Sequence, residues 1–176
     1  EWDARFGGIS DDFLASIQQT IDRGFIMGGF SESGISGDKT EENLGIEDFW
    51  VVKTDSNGIK QWDKRYGGDS YEELFSLQLT NDGGYILGGW STSGISGDKT
   101  QANQGAWDYW LVKTNASGVK LWDRRFGGLE DDFATAACLT ADGGILVGGY
   151  SKSNPGGDKT QPSQGNWDYW VVKVNA

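Results

Sequence analysis

The chain has no histidine, one cysteine, one methionine and two prolines among its 176 residues. Without histidine, Ser-His-Asp and Cys-His catalytic systems are excluded, and so are zinc sites that depend on imidazole. One cysteine excludes an internal disulfide. Cys138 lies in the run Ala136-Ala137-Cys138-Leu139 and reads as a small buried hydrophobe. No apolar run reaches the ~18 residues of a membrane span, so no membrane insertion is expected. No signal-peptide pattern precedes Glu1, so the chain reads as a mature product or an excised piece. Positive charge is also scarce, with 15 Lys and Arg against 26 Asp and Glu and a net charge of −11. That balance argues against nucleic acid or an anionic membrane as partner and leaves room for cations. The strings GxxxxGK[ST], GxGxxG and GxSxG are absent as well.

What the chain does have is repetition. Trp2, Trp62 and Trp122 are sixty residues apart, as are Arg5, Arg65 and Arg125, and Asp38, Asp98 and Asp158. Trp50, Trp110 and Trp170 keep the same step, and no insertion breaks it. A fixed period of this length means a repeat architecture. The 28 glycines recur at fixed places in each unit, which marks turns and close backbone contacts and not disorder.

Within a unit, residues 12–20 alternate loosely and end at Asp22-Arg23-Gly24, which is Asp82-Gly83-Gly84 and Asp142-Gly143-Gly144 in the other units. Asp-Gly between apolar runs signals a hairpin, because both turn residues tolerate positive φ. A second strand is expected at Phe25–Ser31. Its Gly28-Gly29 pair predicts a bulge or a closely packed neighbouring sheet. The polar stretch 31–47 is the longest loop of the unit. A third strand follows at Asp48–Lys53 with apolar groups on both faces, so it should be covered on both sides. Asp55-Ser56-Asn57-Gly58 is a second hairpin signal, and Ile59–Tyr66 reads as the fourth strand. No helical period occurs.

Each unit is therefore a four-stranded antiparallel meander. Such meanders in tandem point to an all-β, β-propeller-like fold with three blades of sixty residues. Residues 1–8 match the end of a unit and form a spare outer strand; 9–68 are blade 1, 69–128 blade 2, and 129–176 blade 3 without its outer strand. The two defects fit each other, since a spare strand that completes the last blade removes an exposed sheet edge. Three blades are fewer than the four to eight of ordinary rings. A second copy would complete the ring, each chain lending Trp2, Asp3, Arg5 and Phe6 to the partner's last strand at Trp170 and Val172. Head-to-tail growth into a filament and excision from a longer array are the other possibilities. A threefold β-prism or β-trefoil is the alternative fold, although sixty residues per unit is long for either.

The segments DGGYILGGWSTSG, WDYWLVKTNASGVKLW and RRFGG resemble the secreted β-propeller repeats of large exported bacterial proteins, notably Bacteroidetes-type surface proteins. The resemblance covers the whole chain and is specific as a repeat type, not as a function. It implies an extracellular or cell-surface, non-catalytic module that serves as scaffold or in adhesion, with other copies of itself as partner. Unit 1 departs from the pattern with Arg23 for the first glycine of the turn and Glu47-Asp48-Phe49 for Trp-Asp-Tyr. Unit 3 departs with Asn154-Pro155 for Gly-Ile.

Candidate chemistry is sparse. The carboxylate pairs Asp11-Asp12, Glu72-Glu73 and Asp131-Asp132 recur once per unit and read as turn caps. Asp38, Asp98 and Asp158 in the SGDKT loops are candidate calcium ligands, against an Asx-turn or a brace with the adjoining Lys39, Lys99 and Lys159. No other cofactor is expected. The Asp and Arg of the WDxRFGG strand are expected to pair across neighbouring blades. Trp90, Trp107, Asp108, Trp167 and Asp168 form the best ligand-binding candidates: aromatic faces beside acids suit stacking on sugar rings, which makes a lectin that binds glycans the alternative function. The competing reading places those rings in the packing between blades.

Overall fold

In a computed structural model, residues 1–175 of the chain are described. Eleven strands and no helix occur among them, so no helix is long and apolar enough to cross a membrane. The first sheet is an antiparallel meander of β1 (Asp12–Gln19), β2 (Phe25–Ser31), β3 (Asp48–Thr54) and β4 (Lys60–Tyr66). The second repeats it with β5 (Glu72–Leu79), β6 (Tyr85–Ser91), β7 (Asp108–Thr114) and β8 (Lys120–Phe126). The third has three strands, β9 (Asp132–Leu139), β10 (Ile145–Ser151) and β11 (Asp168–Val174). None of the sheets closes on itself.

The hairpins differ in detail from the sequence expectation. In the first turn of each unit only one residue is left-handed, Arg23 at φ 68°, or Gly83 and Gly143 at 82°. Thr20 N donates to Gly24 O, and Arg23 N donates to Thr20 O. One left-handed residue after a type I turn is the bulged three-residue connection. Arg23 therefore carries backbone strain that glycine avoids in the other units.

Gly28 and Gly29 fulfil both expectations, one each. A Cβ on Gly29 would lie 1.7 Å from Phe13 O, where the β1 ladder shifts register between Leu14 and Ser16. A Cβ on Gly28 would press on Leu74 and Leu77 of the next sheet.

The sheets stack face on face. Ile26, Phe49 and Val51 of the first meet Leu74, Leu77, Leu87, Trp110 and Val112 of the second in one buried cluster. Ile86, Tyr109 and Leu111 of the second meet Ala134, Ala137, Val147 and Trp170 of the third in another. Side-chain hydrogen bonds join successive first strands: Leu77 N donates to Ser16 Oγ at 3.3 Å, and Ala137 N donates to Ser76 Oγ at 3.0 Å. As their two-faced composition requires, β3 and β7 are buried along their whole length.

Residues 1–8 form no ladder, since no described strand lies beside them to pair with. Even so, they occupy the place against the first sheet that β4 occupies against the second. Trp2 packs edge-on against Phe25 with centroids 5.8 Å apart, as Trp62 packs on Tyr85 at 6.2 Å. Cys138 is exposed and not buried, because it faces away from the second sheet, on a side that no other described residue covers.

Candidate functional site

The long loops are held by buried lysines that point inward. Lys99 Nζ donates to Ser93 O at 2.9 Å, Gln101 O at 2.7 Å and Asn103 Oδ1 at 2.6 Å. Burial pushes its ammonium down to about 8. Lys39 does the same toward Ser33 O and Asn43, and Lys159 toward the hydroxyls of Ser151 and Ser163. The expected brace between each lysine and its neighbouring aspartate therefore does not form. A fully buried ammonium needs acceptors all round it, and the loop carbonyls supply them.

Asp38, Asp98 and Asp158 turn the other way and fasten their unit to the one before. Asp98 N donates to Gly67 O, Gly67 N donates to Asp98 Oδ2 at 3.2 Å, and Arg65 Nη1 reaches the same oxygen at 2.7 Å. Asp158 repeats this with Gly127 and Arg125, and Asp38 with Gly7. Among the described residues no group of three or more His, Cys, Asp or Glu side chains is placed to hold a metal ion.

The arginine of WDxRFGG thus crosses between units, but its aspartate does not. Asp63 accepts from Thr40 N at 2.9 Å, from Trp50 Nε1 at 3.1 Å and from Lys60 at 2.8 Å, all within its own unit. Asp123 does likewise with Thr100, Trp110 and Lys120. One acid of each carboxylate pair, Asp12, Glu72 and Asp132, accepts the N–H of Gly8, Gly68 and Gly128.

The aromatic candidates come together as a belt of rings touching ring on ring. Trp90 meets Trp107 edge-on at 4.5 Å and Phe133 at 5.6 Å; Phe133 in turn meets Tyr150 and Trp167. Trp90 is buried, Trp107 half-buried and Trp167 exposed. Trp167 sits in the third unit, on the outer face of the stack, and Lys152 Nζ lies 4.3 Å from its ring centroid. Asp108 is fully buried, accepts the N–H of Gln104 and Gly105, and is pushed up to about 6 by burial. Asp168 accepts the equivalent bonds from Gln164 and Gly165 and is held below the usual range by them.

One feature of the belt was missed in the sequence. Where Trp107 packs on Phe133 at 5.4 Å, the preceding junction carries Glu47 and Glu73 at the same two positions. Each carboxyl acts on the ionisation of the other. Burial first, and then the Glu47 charge, pushes Glu73 up to about 7. Glu47 is raised by burial and by the charge of Glu32, against a lowering effect of Glu73. The only available signal was that both residues break the repeat pattern.

The two outer faces of the stack carry the same residues as its interior. Phe49 and Tyr109 are fully buried, whereas Tyr169 is 97% exposed. Val51 and Leu111 are buried while Val171 is exposed. On the opposite face Leu74 is fully buried, yet Leu14 is 63% exposed. A cavity of about 340 Å³ beside Leu14 is lined by Arg5, Phe6, Met27 and Trp50, between residues 1–8 and the first sheet.

These features define an all-β repeat protein in which side chains both brace each unit from within and clamp it to the next. No protein-family model matches the chain. It is similar to part of the Regulatory protein FlaEY of Caulobacter vibrioides, at 32% identity over 133 residues, which is 72% of this chain. The chain spans 14% of the length of that curated relative.

Proposed function

We propose that the chain is a non-catalytic structural and interaction module of β-propeller type, working outside a bacterial cell, and that copies join through their outer faces. The carrying observation is that Tyr169, Val171 and Leu14 lie open to solvent while their counterparts in the other units are buried. A face built to be covered and left open is a docking surface for another unit of the same kind. For this chain a second copy supplies that unit: the third sheet of one copy enters the cavity beside Leu14 of the other, under residues 1–8. Two copies then make a ring of six blades.

The structural employment of the carboxylates supports the absence of catalysis. Asp12, Glu72 and Asp132 cap glycine turns, and Asp63 and Asp123 hold a tryptophan and a threonine. The rings of the belt pack on one another, so the belt serves cohesion between blades in preference to sugar binding. The resemblance to exported repeats and the acidic surface support an extracellular site. Similarity to one segment of a much longer bacterial protein suits a module that works as part of an array.

The test is solution mass. The chain should run at twice its 19.2 kDa. Leu14→Asp, Tyr169→Asp and removal of residues 1–8 should each return it to the monomer, with the two point variants keeping their far-ultraviolet dichroism. A chain that stays monomeric into the high micromolar range would overturn self-assembly. Large polydisperse species would overturn ring closure in favour of head-to-tail growth.

A further inference from the structure

Lys39 and Lys99 differ from the other lysines in what surrounds the side-chain nitrogen. Lys53, Lys60, Lys113 and Lys120 each pair with an aspartate. Lys39 and Lys99 are each 1% exposed, and among the described residues no carboxylate pairs with them. Their acceptors are neutral carbonyl and amide oxygens. Burial without a paired counter-charge disfavours the ammonium and favours the neutral amine, which is a nucleophile. Burial accordingly brings Lys99 down to about 8 and lowers Lys39 as well.

Each of these amines faces one electrophile, the side-chain amide four residues on. Lys99 Nζ is 2.6 Å from Asn103 Oδ1, so Asn103 Cγ, one carbonyl bond further, lies within about 4 Å, close to the reach of an attacking atom. The amide is held from behind. Asn103 Nδ2 donates to Ser91 O at 2.6 Å and to Ala106 O at 3.1 Å, which keeps Oδ1 toward the lysine. Asn43 is fixed in the same way by Ser31 O at 2.7 Å and Ile46 O at 3.4 Å, with its Oδ1 on Lys39 Nζ. A fully buried carboxyl stands by each pair. Asp108 accepts the N–H of Gln104, the residue after Asn103, and its charge acts on Lys99. In the first unit Asp48 accepts the N–H of Leu44, its charge acts on Lys39, and its Oδ1 is buried without a hydrogen-bond partner.

We propose that Lys39 with Asn43, and Lys99 with Asn103, are sites of spontaneous amide-bond formation that closes the long loops of the first two units covalently. The neutral Nζ puts its lone pair on Cγ, and the carbonyl π pair moves onto Oδ1. The carbonyl re-forms as the Cγ–Nδ2 bond breaks, its electron pair going to Nδ2. The carboxylate of Asp48 or Asp108 takes the proton that Nζ sheds and passes it to Nδ2, which leaves as ammonia. One C–N bond forms and one breaks, so nothing is oxidised or reduced. The third unit carries the amine without the electrophile: Ser163 stands where the asparagine would, and Lys159 bonds to its hydroxyl and to that of Ser151. Both bonds lie within a unit, so the proposal does not depend on whether copies of the chain join.

Intact-mass spectrometry of the folded chain, warmed at mildly alkaline pH, tests the proposal. Each bond releases one ammonia, so the chain should weigh about 34 Da less than its sequence, about 17 Da for each of the two sites. After denaturation, trypsin should cut at Lys159 but not at Lys39 or Lys99, whose nitrogens are acylated. Asn103→Ser, which copies the third unit, should halve the mass loss and restore cutting at Lys99. Asp108→Asn should slow the loss in the second unit about tenfold or more, while the loss in the first unit continues and shows that the variant is folded. A folded chain that keeps its full sequence mass would overturn the proposal. So would a mass loss with trypsin still cutting at Lys39 and Lys99, since that marks a cyclised asparagine elsewhere in the chain. An unchanged rate in Asp108→Asn would overturn the proton transfer assigned to that carboxyl.

Discussion

Replacing Glu73 by glutamine should stabilise the protein, and only above mildly acidic pH. Glu73 and Glu47 meet at the first junction with Glu32 close by, and among the described residues no cation pairs with them. Burial and the Glu47 charge hold the Glu73 carboxyl at about 7, against 4.5 for an ordinary glutamate. A carboxyl raised on folding binds its proton more tightly in the native state than in the unfolded one. Its contribution is therefore complete below about pH 4.5, declines as pH rises toward 7, and stays lost above that. The full shift would correspond to about 3 kcal/mol. The group is only half-buried, and solvent screening brings the expected effect down to about 1–2 kcal/mol. Glu73→Gln keeps the shape and a donor for Glu47 while removing the charge. At pH 8 its melting temperature should exceed that of the parent by roughly 2–6 °C for a chain of this size. At pH 4.5 the two should melt together. Differential scanning calorimetry from pH 4.5 to 8 reads both limits. Asp48 and Asp108 titrate near 6 in both proteins, so their part cancels in the comparison. A difference that is constant with pH, or a variant less stable at pH 8, would refute the argument.

Lys99→Met should cost about 2–4 kcal/mol in urea unfolding, because two carbonyls and the Asn103 amide oxygen lose their shared donor inside the loop. A cost under half a kilocalorie would show that water takes the lysine's place. Asp98→Asn should cost about 1–2 kcal/mol through its loss to Arg65. Asp38→Asn, at the same position in the first unit, should cost clearly less, since Arg5 makes no ion pair among the described residues; equal costs would mean that the glycine bonds carry the clamp.

The strands were legible because their signals are local. Phe25–Ser31 has its bounds set by a turn and a loop, and the two-faced composition of Asp48–Thr54 announces cover on both sides. The glycine pair foretold a bulge and a close neighbour, although not which glycine served which. What escaped depends on how one sheet lies on the next. Nothing in SGDKT tells that the lysine turns in and the aspartate turns back to the preceding unit. Arg65 and Asp63 are two residues apart on one strand and share a face, yet the longer arginine reaches Asp98 of the next unit while the aspartate is taken up by Thr40, Trp50 and Lys60 of its own. Cys138 looked buried from its apolar surroundings, and its exposure follows from the open face of the third sheet. The Glu47–Glu73 contact joins residues 26 positions apart that the sequence places in different units.

The hydrogen bonds from Leu77 to Ser16 and from Ala137 to Ser76 span the same interval, and the clamps from Asp98 to Gly67 and from Asp158 to Gly127 span another. Every junction is thus written in one register. A gene that gains or loses a whole repeat by unequal recombination keeps this backbone register at every seam and changes only which side chains meet there. A change of array length leaves the backbone clamps at each seam as they are, and substitutions confined to one seam, such as the glutamate pair, are the means by which otherwise interchangeable units acquire an order.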